Sequence, residues 1–415
     1  MRRFRKDAAD QDRDSPRRSQ RRQAADPSEE AQRALDALLR KRSALALPPA
    51  LLARISALGL PTDSVQQALA AIHSLEEWMV AWTRLGQQWI AIARREDIAG
   101  RWRHGALARR HAAMCYHAAH FITVADPKTA LMLRSTAAGF FSQALPYLYE
   151  ATERITIGWK EHNLPAYLRR PPHAERPVPL LIALNGATTT KEEAMIWSDP
   201  IIAAGWAMLC IDWPGTGEAS AIAPLTGRQE SVVVAAIREA SRDARLDSDR
   251  IGVLGFSLGA TPAMRAAARD PRIGAVVLVT PPFDPSAWPA LLDPLMSRQL
   301  LMLADDGRDP RAVLESFSLK SSLAHWDRPS LIFGAGADQV APPDEADRAA
   351  YAMGDWATLV RYPYACHGLF DVIDDWPYVV AQWLSVLDAP APAEPEPGST
   401  QVDEAPYDDD DEEEL

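Results

Sequence analysis

The chain has 415 residues, 47% hydrophobic and 24% charged, enough for a buried core in each of two domains at roughly 150 residues apiece. Its net charge of −12 sits mostly at the ends: residues 1–26 hold nine Arg or Lys against five Asp, and residues 389–415 hold eleven Asp or Glu and no base. The body between carries only −5, with no basic excess for a nucleic-acid face, and no run of eighteen apolar residues exists to span a membrane.

The opening MRRFRKDAADQDRD has no apolar stretch behind its basic residues, so it does not read as a secretory signal. Three scattered cysteines (Cys115, Cys210 and Cys366) are too few for a disulfide framework or a zinc cage. These features predict a cytoplasmic protein without metal or cofactor.

Residues 1–25 are polar and poor in aromatics, and are expected to be disordered. Asp26-Pro27-Ser28-Glu29 has the residues of a capped helix start, and a helical domain is predicted over 26–151. Within it Leu69, Ile72, Leu75, Met79, Trp82, Leu85, Trp89 and Ile92 make one wide apolar stripe at three- and four-residue steps. Further helices are predicted at about 101–122 and 128–150, broken at Asp126-Pro127.

After residue 152 the period changes. Apolar runs at 178–185, 206–212, 250–256, 274–280, 330–336 and 357–363 alternate with amphipathic stretches, as strands of a mostly parallel sheet buried on both faces would. An α/β catalytic domain is therefore predicted over 152–388, and the Pro- and acid-rich residues 389–415 read as a disordered tail.

The chemistry centres on Gly255-Phe256-Ser257-Leu258-Gly259, which follows the strand IGVL and precedes the helical ATPAMRAAAR. In that context G-x-S-x-G is a sharp strand-to-helix turn that presents a nucleophilic Ser at the carboxyl edge of the sheet. Such a Ser needs a base and an orienting acid, in the chain order Ser, acid, His. Asp338 follows the run SLIFGAGA and His367 follows ATLVRYPYAC, so both fall at strand ends in that order; Asp284, after the preceding strand, is the alternative acid. An oxyanion hole is expected from the backbone N–H groups of Leu258 and, in the loop Asn185-Gly186-Ala187-Thr188, of Ala187.

Weaker patterns read as structural. His104, His111, His117 and His120 lack the carboxylate or Cys partners of a metal site and suit a pocket wall; Trp78, Trp82 and Trp89 suit a core. Gly334-x-Gly336 is followed by Gln339 where a dinucleotide fingerprint needs Gly.

The stretches NGATTTKEE (185–193), DWPGTGE (212–218) and IGVLGFSLG (251–259), with a helical domain ending in LPAYLRRP (164–171), resemble the α/β-hydrolase subfamily of dihydroxypseudooxynicotine hydrolase and the FrsA-like esterases. The resemblance implies an α/β-hydrolase fold with an N-terminal helical cap that is also a homodimer surface. It also implies a serine-triad hydrolase acting on C–O or C–C bonds beside a carbonyl. Phe256 and the small Ala187-Thr188 pair depart from common family patterns and bear on the pocket. Three functions stay open: a hydrolase of a small-molecule carbonyl substrate, an acyltransferase or retro-Claisen lyase with the same triad, and a non-catalytic binding protein on this scaffold. The substrate is expected in a cleft under the 101–150 helices and the apolar insertion 281–303.

Overall fold

Among the described residues, eight strands form one sheet, in the order β1-β2-β4-β3-β5-β6-β7-β8. They are β1 Thr152–Trp159, β2 His162–Arg169, β3 Val178–Leu184, β4 Ala207–Ile211, β5 Leu246–Phe256, β6 Ile273–Val279, β7 Ser330–Ala335 and β8 Ala357–Tyr362. The pairs β1/β2 and β2/β4 are antiparallel and all others parallel. This computed structural model describes residues 49–122, 127–290, 310–323 and 325–387, with Ala37 and Leu47. The expected tails (1–25 and 389–415), the helix start at Asp26 and residues 291–303 of the insertion lie outside the described residues.

Continuous apolar runs suit the central strands because both of their faces are covered. Leu180, Ile182 and Leu184 face one way, into a core with α8 Ser231–Ala240, α9 Ala260–Ala267 and α11 Glu345–Met353. Leu181 and Ala183 face the other way, with Met208, Cys210, Leu254, Val277 and Phe333. Over that second face lie α6 Lys191–Ile196, α7 Asp199–Ala203 and α12 Trp376–Leu387; α10 is Pro310–Glu315.

The N-terminal helices join this second core rather than forming one of their own. They are α1 Pro49–Ala57, α2 Thr62–Ala70, α3 Leu75–Ile98, α4 Trp102–Ala119 and α5 Pro127–Leu148. Trp78 and Trp82 are fully buried, Trp89 partly so, and the Trp78 indole N–H donates to Ala118 O at 2.9 Å. The apolar stripe from Leu69 to Ile92 spans two helices, not one. The chain breaks at 71–74, and Ser74 and Glu77 form a capping box that starts α3.

LPAYLRRP does not end the helical region: Leu164–Arg169 belong to β2, paired with β1 in a hairpin turned at Lys160, whose φ is +51°. Ile155, Ile157 and Trp159 alternate along β1 toward the core, the period-2 signal of a half-buried strand. The hairpin adds two antiparallel strands at one edge of the sheet.

Register gathers the site at one edge. Leu184 is level with Ile211 and Gly255, and Phe256 with Val279, so the residues following β3, β4, β5 and β6 emerge together. The chain passes from β3 to β4 on one side and then back across to β5 on the other. That reversal opens a crevice at the carboxyl ends of β3 and β5.

Candidate active site

Ser257 stands at the end of β5, in a single 3₁₀ turn leading into α9, with φ of +49°. A non-glycine residue in that region is strained, and here the strain lifts the side chain off the sheet edge. The neighbouring glycine is required by contact. A Cβ on Gly259 would lie 2.5 Å from the carbonyl oxygens of both Leu184 and Asn185.

Ser257 Oγ is 2.8 Å from His367 Nε2, and His367 Nδ1 is 2.7 Å from Asp338 Oδ2. The other oxygen, Asp338 Oδ1, accepts the backbone N–H groups of Val340 and Ala341 at 2.8 and 2.9 Å. Asp338 is 4% exposed and His367 12%, so their contact is shielded from water while the imidazole keeps an open side toward Ser257. His367 opens a turn whose next two residues, Gly368 and Leu369, have positive φ, and Gly368 N–H reaches Thr280 Oγ1 at 3.3 Å. Asp284, the alternative acid, is not brought to His367. It pairs with Lys320 and Arg348 and accepts the Ser286 hydroxyl at 2.7 Å; burial opposes its charge, but these partners hold its carboxyl below the usual range.

Leu258 directly follows Ser257, and Gly186, just before Ala187, packs on the elbow, where a Cβ on it would lie 3.3 Å from Ser257 Cβ; Leu258 and Ala187 are both buried. In the loop after β3, the Gly186 N–H is taken by Thr189 Oγ1 at 2.7 Å, which leaves Ala187 as the next N–H. The Asn185 side-chain amide donates to Gly186 O at 3.1 Å and also to Thr189 O. Because Gly186 O and Ala187 N–H share one peptide plane, binding the carbonyl on one side turns the N–H to the other.

Two features have no counterpart in the sequence reading, and a third gains a carboxylate partner that the sequence did not show. The first is a buried ion cluster beneath the loop. Lys191 Nζ, wholly buried, is 2.8 Å from Asp212 Oδ2, 2.7 Å from Glu192 Oε1 and 2.6 Å from Glu218 Oε2. Burial opposes the charge on Lys191, yet the three carboxylates hold its proton well above the ordinary lysine value. Glu192, Asp212 and Glu218 are, among the described residues, an acidic trio close enough to share a metal ion, but the Lys191 ammonium already bonds all three. The KEE and DWPGTGE stretches are thus the two halves of one cluster. Gly217, with φ of +45°, leaves room for the Asp212 carboxylate.

The second is Arg54, on α1. It pairs with Glu193 (Nη2 to Oε1, 2.7 Å; Nε to Oε2, 3.2 Å) and donates to Thr188 O at 2.7 Å and Thr188 Oγ1 at 3.0 Å. Its guanidinium lies 3.9 Å from the centre of the Phe121 ring. The third is the His117–His120 pair. His117 Nε2 is 2.6 Å from Glu193 Oε1, and His120 Nε2 is 3.0 Å from His117 Nδ1. Burial would raise the Glu193 pKa, but Arg54 and His117 outweigh it and bring it down to about 2. His111 instead packs edge-on against Trp89, 4.6 Å between ring centres, and burial lowers its pKa to about 4; His104 is exposed.

A small cavity of about 20 Å³ lies between Asn185, Thr189, Thr190, Glu193, Trp197, Phe256 and Phe370. It is large enough for one water, not for a substrate. Among the described residues, no helix is long and apolar enough to cross a membrane.

A mostly parallel sheet with Ser257 on a strand-to-helix turn after β5, Asp338 after β7 and His367 after β8 has the arrangement of the α/β-hydrolase fold, and residues 179–325 match the family described as alpha/beta hydrolase fold. Within that fold the chain resembles particular proteins. It is 28% identical over 200 residues to 2,6-dihydropseudooxynicotine hydrolase of Paenarthrobacter nicotinovorans, covering 48% of this chain and 54% of that one. It is 24% identical over 254 residues to esterase FrsA of Vibrio vulnificus, covering 60% and 59%. The matched stretches thus span little more than half the length of these curated relatives. The crystal structure of 2,6-dihydroxy-pseudo-oxynicotine hydrolase superposes with a TM-score of 0.72 at 23% identity, over 80% of this chain and 95% of that one. The shared architecture therefore includes most of the N-terminal helices as well as the sheet.

Proposed function

We propose that this chain is a hydrolase that opens a C–O or C–C bond beside a carbonyl in a mid-sized small molecule, through an acyl-enzyme on Ser257. The observation that carries this reading is the unbroken chain from Ser257 Oγ through the His367 ring to a buried Asp338. The related proteins named hydrolase and esterase support it.

In this reading Ser257 attacks the carbonyl carbon while its proton passes to His367 Nε2. Asp338 holds the Nδ1–H tautomer and stabilises the imidazolium. The carbonyl oxygen, now an anion, takes the N–H groups of Leu258 and Ala187. Collapse expels the leaving group, which receives the proton from His367. Water then attacks the acyl ester with the same histidine as base, releasing the acid and restoring Ser257. An alkoxide can leave directly. A carbon leaving group needs a second carbonyl to take its electron pair as an enolate, so a C–C substrate would be of β-dicarbonyl type. The N-terminal helices act as a cap over the crevice, with α1 closest to the His367 turn.

Purified protein screened against esters, lactones, amides and β-diketones tests this reading. Turnover of at least one class, lost in Ser257→Ala, is the expected result. No turnover of any class together with retained small-molecule binding would favour a binding protein.

A further inference from the structure

Thr188 directly follows the proposed oxyanion donor Ala187, and both of its polar oxygens are held from outside the sheet domain. Arg54 donates to Thr188 O at 2.7 Å and to Thr188 Oγ1 at 3.0 Å. On the other side of Ala187, the 186–187 peptide is held by Asn185 Nδ2 on Gly186 O at 3.1 Å. The loop is thus held on both sides of the 187–188 peptide, at the 186–187 peptide from the sheet domain and, through Thr188 O, at the 188–189 peptide from the cap.

We propose that Arg54 is a positioning residue for the oxyanion hole, so that docking of α1 onto the sheet domain and alignment of the Ala187 N–H are one event. This rests on the acyl-enzyme reading above. The guanidinium suits the task because its planar fork reaches two acceptors of Thr188 while a second edge pairs with Glu193. Phe121 covers one of its faces and His117 holds Glu193 Oε1 at 2.6 Å, so the fork has little freedom. The helix bearing it also packs on the turn carrying His367, and Phe370 of that turn lies 5.7 Å from the guanidinium carbon. A cap that lifted away would release the oxyanion loop and uncover the base together.

The experiment compares wild type, Arg54→Lys and Arg54→Ala/Glu193→Gln. The double variant removes the carboxylate that loss of Arg54 would leave buried and unpaired. A fluorophosphonate probe counts reactive Ser257, the rate of p-nitrophenyl butyrate hydrolysis is expressed per counted site, and hydrogen exchange follows the amides of 187–190. We expect the rate per site to fall ~10²-fold in both variants, the size of losing one oxyanion donor, chiefly in kcat and with faster exchange at 187–190. Arg54→Lys should regain Tm but not rate, because an ammonium keeps the Glu193 pair without the fork. A merely structural Arg54 would lower Tm and the number of counted sites while leaving the rate per site unchanged, and that result overturns the proposal. If wild type itself fails to react with the probe, the acyl-enzyme reading falls. Hydrogen exchange then decides the rest: unchanged protection of 187–190 in the variants overturns the role of Arg54 as well.

Discussion

Lys191 and Asp212 meet twice, Nζ to Oδ2 at 2.8 Å and backbone N–H to Oδ1 at 2.9 Å, both side chains wholly buried. This double contact ties the start of α6, just after the oxyanion loop, to the end of β4. Glu218 closes the arrangement by donating its own N–H to Asp212 Oδ2 at 3.0 Å. Removing the ammonium would strand buried carboxylates without their cation. Lys191→Met should therefore cost about 3–5 kcal/mol, and Lys191→Met/Asp212→Asn should recover part of that loss. The urea midpoint at constant m-value measures both; a single variant as stable as wild type would mean the cluster is hydrated.

The acid assignment separates cleanly by mutation. Asp338→Asn should lower kcat by about 10³–10⁴-fold, since an amide holds the wrong imidazole tautomer. Asp284→Asn loses its pairs with Lys320 and Arg348 but touches no reacting group, so its kcat should match wild type. Steady-state kinetics on any ester that turns over decides between them; the reverse ranking would transfer the role to Asp284.

Glu193 makes the contact of α1 with the sheet domain pH-dependent in one direction. Its folded pKa of about 2 lies below the ordinary value of 4.5, because Arg54 and His117 outweigh the burial that opposes its charge. A depressed carboxylate contributes stability that is fully present above the unfolded value and is lost as pH falls through the folded one. Between pH 4.5 and about 2, wild type should thus lose stability more steeply than Glu193→Gln, whose amide does not titrate. Urea titrations of both proteins across that window supply the test; parallel curves would show that Glu193 is not held by Arg54 and His117.

Much of the sheet domain was legible because its signals are local. Apolar runs buried on both faces announce strands, and Gly255, Ser257 and Gly259 in strand-to-helix context announce the elbow. Chain order then selects Asp338 and His367. The β1–β2 hairpin was passed over because its cue, Ile155-x-Ile157-x-Trp159, is short and follows a long helical stretch. The break at 71–74 was hidden because the apolar period runs straight across it; the cue was Ser74 three residues before Glu77. Arg54 left no local trace, Glu193 stands unmarked in KEE, and His117 reads along the chain only as a pocket-wall histidine. Their positions lie far apart in sequence, Arg54 and Glu193 separated by 139 positions, and only packing of the N-terminal helices on the sheet domain brings them together. Lys191 stands in the KEE stretch, yet nothing along the chain marks its partners Asp212 and Glu218 as neighbours.

The central claim is that Ser257 is the nucleophile, activated by His367. Treating folded wild-type protein with a fluorophosphonate and mapping the adduct by peptide mass spectrometry tests it most directly. One stoichiometric adduct on Ser257, none on Ser257→Ala, and labelling ~10³-fold or more slower on His367→Ala are expected. An adduct mapped to another residue, or undiminished labelling of Ser257→Ala, would contradict it.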